Sequence, residues 1–256
     1  MRCRPTLRAA CRTALLSLAL AGAALAPGGA QEPPRISKYD AMPQVLVPAG
    51  EFTMGADDAD ANGRQCEFPP HQVRLGAYWI DRYEVTNAQF VQFLNQVAPG
   101  NRPLIYGYCD LGNFFCRIRF DAATQRCTVA PEDAQRPVCA VSHGGAVAYA
   151  QSVHRRLPTE AEWEKAARGT DQRRYPWGNQ WDPKNVVTRE SGATEPLPVG
   201  SRPADSSPYG ALDMAGNVCE WIADAWDEHY YLTSPTGNPV NRGEGWQYVG
   251  AAGPGA

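Results

Sequence analysis

The chain has 256 residues, with 24 basic and 27 acidic side chains, a formal net charge of −3 and 43% hydrophobic residues. This length is enough for one domain with a substantial buried core. The slight acidic balance argues against a basic nucleic-acid-binding surface, and no apolar run is long enough to span a bilayer.

The first 30 residues have the three parts of a secretory signal peptide. Four arginines, with no acidic residue among them, precede an apolar run from Ala14 to Ala26, and the small residues Gly28 and Ala30 follow. The apolar run is too short for a transmembrane anchor. We therefore predict that residues 1–30 are removed by cleavage near Ala30 and that the protein is exported to the periplasm or the cell exterior.

Six cysteines remain after this predicted cleavage. They are Cys66, Cys109, Cys116, Cys127, Cys139 and Cys219. An even number of cysteines in an exported chain predicts disulfide bonds, and the sequence leaves their pairing open. No C-x-x-C occurs, so the spacing indicates neither a zinc site nor a thioredoxin-type redox pair.

Three strands are predicted in the first third of the chain. Short strands at 45–47 and 52–55 are joined by a Pro-Ala-Gly turn, and alternating residues predict a longer strand over 72–80. Between them, residues 58–63 resemble the front half of an EF-hand loop, but the last ligand position of that loop would be Pro69. We interpret this stretch as a solvated acidic loop.

Capping boxes mark the starts of two helices. Thr86 is followed three residues later by Gln89, and Thr159 is followed by Glu162 at the same spacing. The first predicted helix extends to about residue 96, and the second covers 160–168. On the first helix, the residues expected to be buried are Ala88, Phe90, Val91 and Leu94.

The remaining elements have weaker signals. Residues 97–137 contain little periodic pattern and three of the cysteines, which predicts a disulfide-stapled insertion outside the core. Small residues predict a short helix at about 145–153. In the helix over 160–168, Trp163 shares a face with two alanines and is expected to point inward, and Gly169 ends that helix.

Five short motifs follow one another along the chain. They are F-T-M-G at 52–55, E-V-T-N at 84–87, R-L-P-T-E-A-E-W-E at 156–164, Y-P-W-G-N at 175–179 and M-A-G-N-V-C-E-W at 214–221. In this order they resemble the signature of the formylglycine-generating enzyme family, also called the sulfatase-modifying factor family. The resemblance implies an α+β, loop-rich, C-type-lectin-like fold over residues 45–249, after a polar lead at 31–44.

The resemblance also implies structural Ca²⁺ bound by loop oxygens. In calcium-containing family members, one site corresponds to the stretch from Asp213 to Glu220. Its ligands here would be those two side chains and the backbone carbonyls of Gly216 and Val218. Ca²⁺ prefers such a set of oxygens. The alternative is that both acidic side chains cap the backbone or face solvent.

Other positions depart from the family pattern. A second calcium site would use the Asn185 side chain and the Val186 carbonyl, but Ser191 stands where the family has a carboxylate. His143 replaces a tryptophan and is either a structural substitution or a ligand or base. Cys219 also replaces a tryptophan, and its apolar surroundings predict a buried or disulfide-bonded side chain.

Active family members oxidise a sulfatase cysteine to Cα-formylglycine with O₂ and copper. Two thiolates of a C-x₄-C pair hold the copper, and this pair follows an R-G-G-S segment; thiolates suit Cu(I). This chain contains neither element and has a Gly/Ala/Pro tail at 250–256. We interpret the tail as a frameshift or incomplete gene model that removes the C-terminal part of the fold, the alternative being a genuine short paralogue. Copper is expected only if the missing segment exists.

Two functional hypotheses follow. The first is a formylglycine-generating oxidase that acts on a sulfatase-like polypeptide, which would need the missing segment. The second is a non-catalytic, calcium-stabilised binding module on the same fold, whose partner is a sulfatase-like polypeptide or another exported protein. The absence of the cysteine pair predicts that this chain by itself is inactive. No nucleic-acid partner and no membrane span are predicted.

Overall fold

The structure is a computed structural model that describes residues 32–57 and 63–243. The predicted signal peptide over 1–30, nearly all of the predicted acidic loop at 58–63 and the tail at 250–256 lie outside the described residues. Within the described part, no helix is long and apolar enough to cross a membrane.

Short strands and four helices are separated by long irregular segments. The strands are β1 (Arg35–Ile36), β2 (Pro43–Val47), β3 (Gly50–Met54), β4 (His71–Leu75), β5 (Tyr78–Asp81), β6 (Ile118–Asp121) and β7 (Arg126–Val129). The helices are α1 (Asn87–Val97), α2 (Arg102–Tyr108), α3 (His143–Ser152) and α4 (Glu160–Arg168). This content agrees with the predicted α+β, loop-rich fold.

The strands form three small antiparallel sheets. The first has the order β1-β2-β5, the second pairs β3 with β4, and the third pairs β6 with β7. The prediction of a single strand over 72–80 is wrong, because Gly76 and Ala77 interrupt it and leave two separate strands. The Gly76 amide donates to the Asn238 side chain at 2.9 Å, and the segments on either side of the break join different sheets.

The largest apolar cluster lies where the sequence predicted an insertion. Residues of α1, α2, α3 and β6 meet there, together with the buried Cys109, Cys116 and Cys127. The expectation that 97–137 lies outside the core is therefore wrong. Its apolar residues are spread over one helix and two strands, so no single stretch shows the periodicity that marks a core element.

Both predicted capping boxes are present, at Thr86 before α1 and at Thr159 before α4. Helix α4 has the predicted bounds and ends at Gly169, whose φ is 74°. The buried face of helix α1 differs in part from the predicted one. Its buried residues are Asn87, Phe90, Phe93 and Leu94, whereas Ala88 and Val91 are half-buried. The burial of Asn87 follows from its side-chain amide, which donates to the carbonyls of Asp133 and Arg136.

The polar lead at 31–44 contributes to the sheet. Arg35 and Ile36 pair with Gln44 and Pro43, so strand β2 begins two residues before the predicted boundary. The lead is also anchored by Asp40, whose carboxylate forms an ion pair with Arg155 beyond α3. These contacts join the first described residues to the helical layer.

Candidate functional site

A concave groove of about 1090 Å³ lies beside helix α4. Its walls come from loop segments at 138–141, 187–196 and 213–222, with Phe115 at one side. Because these segments are far apart in sequence, the groove exists only in the folded chain. It contains most of the predicted calcium ligands.

Two tryptophans fix the loop that runs through the groove. The Trp163 indole on α4 donates to Glu220 Oε2 at 2.6 Å, and the Trp221 indole donates to the Val141 carbonyl at 2.9 Å. Trp221 remains 50% exposed. His143 packs edge-on against it, with ring centroids 5.5 Å apart, and contacts the Ile222 carbonyl. These contacts support the interpretation of His143 as a structural substitution.

The loop from Asp213 to Glu220 has a backbone shape that only certain residues tolerate. Asp213 and Asn217 have φ values of 63° and 65°, in the left-handed region that Asn and Asp tolerate better than most residues. A Cβ on Gly216 would lie 2.5 Å from Val186 Cγ2, so the close approach of the two loops requires glycine there. The predicted ligand loops at 185–186 and 213–220 are therefore neighbours.

Asn217 joins this loop to the rest of the fold. Its backbone amide donates to the Val187 carbonyl, and its side-chain oxygen accepts from the Leu197 amide, both at 2.9 Å. Its side-chain amide donates to Glu84 at 2.7 Å, and Glu84 also accepts from the Val218 amide. The buried Glu84 thus fixes the 213–220 loop through two hydrogen bonds.

Four carboxyl groups interact electrostatically at this place: Glu84, Asp205, Asp213 and Glu220. Burial, followed by the charges of Glu220 and Asp213, raises the pKa of Glu84 to about 9. Burial, followed by nearby carboxylates, also raises the pKa values of Asp205 and Glu220 to about 7, although Glu220 keeps an exposed surface. Asp205 Oδ1 is buried without a hydrogen-bond partner. Full ionisation of all four groups would therefore leave excess negative charge here, which protons or a bound cation would balance.

The predicted first calcium site has oxygen atoms with spare capacity. Asp213 Oδ2 accepts from the Gly200 amide at 2.6 Å, and one Glu220 oxygen accepts from Trp163, which leaves one oxygen of each carboxylate. Among the described residues, no N–H donates to the carbonyls of Gly216 or Val218. This donor chemistry fits Ca²⁺. No group of three or more His, Cys, Asp or Glu side chains suited to a metal occurs in the described part, so the site depends on backbone carbonyls.

The predicted second site is less complete. Asn185 is the last residue of a short 3₁₀ turn at Pro183–Asn185, and Val186 follows it, fully buried against the Gly216 loop. The Ser191 hydroxyl donates to the Thr188 carbonyl at 2.7 Å and closes the local turn. At the position where the family has a carboxylate, the Ser191 hydroxyl is therefore hydrogen-bonded to the backbone of its own turn.

Cys219 is not buried, because its side chain is exposed at the groove, and its predicted disulfide bond stays a prediction. Cys139 also lines the groove. All six cysteines of the described residues are unpaired in the structure.

Sequence reasoning missed Glu84, Asp205 and Asn217 as members of the site. Glu84 and Asn217 lie within two of the five motifs, so their position there was an available signal. Asp205 lies in a Pro- and Ser-rich loop and carried no local signal.

A smaller cavity of about 440 Å³ shares part of its lining with the groove. Residues 218–221 line both cavities. Strand β5 and the Arg155–Pro158 segment bound the smaller cavity. A change in the position of Glu220 would therefore alter both spaces.

Known proteins resemble the chain over most of its length. A family profile described as "Sulfatase-modifying factor enzyme 1-like domain" matches residues 30–252. A protein of Thermomonospora curvata named formylglycine-generating enzyme is 35% identical over 239 residues, which cover 78% of this chain and 77% of that protein. The Chlamydia caviae protein named serine/threonine-protein kinase pkn1 is 36% identical over 195 residues, covering 74% of this chain and 29% of the kinase.

The fold is also found in a solved structure. The structure of PvdO from Pseudomonas aeruginosa superposes with a TM-score of 0.62 at 26% sequence identity, covering 84% of this chain and 82% of that one. The predicted family fold is thereby confirmed.

Proposed function

Because the chain belongs to the sulfatase-modifying factor family, we propose that it is an exported, calcium-stabilised member whose groove binds a polypeptide segment. In this proposal the 256 residues by themselves do not oxidise a sulfatase cysteine. The observation that carries the proposal is the groove of about 1090 Å³, with aromatic walls beside an acidic loop.

The groove has the chemistry of a polypeptide-binding site. Phe115, Trp163 and Trp221 supply apolar surface, and the carboxylates of Asp213 and Glu220 supply negative charge. Exposed aromatic side chains next to polar groups are typical of peptide-binding grooves. An extended segment with a basic residue would complement both features.

Copper does not fit the residues present. The chain has no C-x₄-C pair, and Cys109 and Cys116 are sealed in the largest apolar cluster. Cys139 and Cys219 line the groove but come from distant parts of the chain. We therefore derive no oxidation step from this chain.

The test combines turnover with binding. The full chain is incubated with copper, O₂ and a Cys-x-Pro-x-Arg peptide, with the T. curvata relative as the active control. We expect an unchanged peptide mass and a saturable quenching of tryptophan fluorescence when the peptide binds. Trp221→Ala should weaken binding several-fold, whereas Trp226→Ala should not, because Trp226 is exposed outside the groove.

The second candidate is the oxidase, which the name of the T. curvata relative favours. Identity alone does not separate the two, since the C. caviae relative with a different name is 36% identical. Copper-dependent conversion of the peptide would establish the oxidase and overturn catalytic silence. Loss of that conversion in Cys139→Ser or Cys219→Ser would then identify the thiols involved. Absence of peptide binding would overturn the binding proposal.

A further inference from the structure

Cys109 and Cys116 lie at the two ends of a tight loop. Cys109 follows helix α2, and Cys116 precedes strand β6. Successive turns fold the loop back, because Asn113 donates to the Asp110 carbonyl and Cys116 donates to the Asn113 carbonyl, each at 3.1 Å. The Asp110 amide also donates to the Ala140 carbonyl at 2.9 Å, which fixes the start of the loop.

This folding brings the two sulfur atoms into contact. Cys109 Sγ lies 3.7 Å from Cys116 Sγ. No other pair of cysteine sulfurs in the described residues makes such a contact. Both side chains are buried, with 0% and 3% of their surface exposed. The hydrogen bond from the Cys109 thiol lowers the pKa of Cys116 and raises that of Cys109, so the two cysteines differ in reactivity.

We propose that Cys109 and Cys116 form an internal disulfide when the chain folds in the presence of a low-molecular-weight disulfide. The thiolate of one cysteine attacks one sulfur of glutathione disulfide and expels a glutathione thiolate. The other cysteine then releases its proton and attacks the first cysteine's Sγ, which expels the second glutathione as a thiolate. One disulfide is reduced to two thiols while the cysteine pair loses two electrons. Since the sulfurs are buried in the folded protein, the exchange occurs before the apolar cluster closes.

The bond would fix one wall of the groove. Asn113 and Phe115, inside the closed loop, both line the groove. The disulfide would therefore hold the Phe115 ring beside the 138–141 segment and restrict the loop without adding any contact to the groove. Export would supply the oxidant in the cell, but the bond itself depends only on the geometry of the pair.

Peptide mapping tests the pairing directly. The reduced, unfolded full chain is refolded in a glutathione buffer, alkylated with N-ethylmaleimide and digested with trypsin without reductant. Because trypsin does not cut before Pro103, one peptide over residues 83–117 holds both cysteines and no other. We expect this peptide unalkylated and lighter than its reduced form by two hydrogen atoms. Cys66→Ser, which removes a cysteine outside the loop, should give the same result.

Hydrogen exchange measures the consequence for the groove. Amides 110–115 should exchange several-fold more slowly in the oxidised protein than after reduction, while amides of α4 should be unchanged. Two maleimides on the 83–117 peptide would overturn the proposal. So would a cross-link to the peptide that holds Cys127 and Cys139. Either result would leave the proposed function intact, because peptide binding is measured separately.

Discussion

Lys165 shows how a single side chain connects the helical layer to the sheets. It is 1% exposed, and its ammonium donates to the carbonyls of Pro48 at 2.8 Å and Gly50 at 2.9 Å. Burial lowers the pKa of this lysine. Pro48 lies in the turn after β2 and Gly50 is the first residue of β3, so Lys165 joins α4 to the start of the second sheet.

Replacing Lys165 by methionine should test this role. Lys165→Met keeps most of the side-chain length but leaves the two carbonyls without their donor. Because buried unsatisfied polar groups are costly, we expect the free energy of unfolding to fall by about 2 to 3 kcal/mol. Urea denaturation measures the change. Lys184→Met, at an exposed position, is the matched control and should change stability by less than about 0.5 kcal/mol. Equal stability of both variants would contradict the assigned role.

At the scale of elements, the sequence predicted those features that local chemistry determines. The capping boxes at Thr86 and Thr159 and the stop at Gly169 depend on residues within one turn of each other. The break at Gly76 was missed because it depends on Asn238, far along the chain. The core position of 97–137 was missed for the same reason, since its burial requires α1 and α3.

Asp40 and Arg155 form a contact between elements that should respond to pH. Burial opposes ionisation of Asp40, but hydrogen bonds from Ser37 and Tyr149 and the charge of Arg155 outweigh it, so the pKa of Asp40 lies below its usual value. A carboxyl with a lowered pKa stabilises the fold above its unfolded pKa of about 3.9, and this contribution is lost as pH falls through the folded pKa.

Asp40→Asn should therefore destabilise the protein most near neutral pH. We expect a loss of about 2 kcal/mol at pH 7, because the variant removes a charge-assisted hydrogen bond to Arg155. The difference between the variant and the original protein should shrink below about pH 4. Urea unfolding across this range measures it. A constant difference at all pH values would show that the Asp40 charge contributes nothing.

At the scale of the whole molecule, the site is assembled from motifs that lie far apart in the sequence. E-V-T-N supplies Glu84 and M-A-G-N-V-C-E-W supplies Gly216 to Glu220, but their meeting depends on the loops at 186–188 and 197–200. The motifs predicted the family and the fold, which are confirmed. Export, the disulfides, the missing C-terminal part and calcium binding stay predictions.

Calcium should stabilise the whole domain, because its proposed ligands hold the 213–220 loop, which lines both cavities. A ligand that binds only the folded state stabilises it by about 2.7 kcal/mol at a hundredfold excess over Kd. The unbalanced carboxylates at this loop should make removal of the cation costly. EDTA should therefore lower the Tm, and added Ca²⁺ should restore it.

Two variants connect this response to the site. Glu220→Gln keeps an oxygen for the Trp163 indole but removes the charge, so it should abolish most of the EDTA response while preserving the fold. Glu228→Ala, at an exposed position outside the loop, should retain the full response. In EDTA the original protein should also be less stable than Glu220→Gln. Without Ca²⁺ it keeps carboxylates that repel one another, and the variant has one fewer of them. A melting curve that EDTA leaves unchanged would exclude the site, and an equal response in Glu220→Gln would place the cation elsewhere.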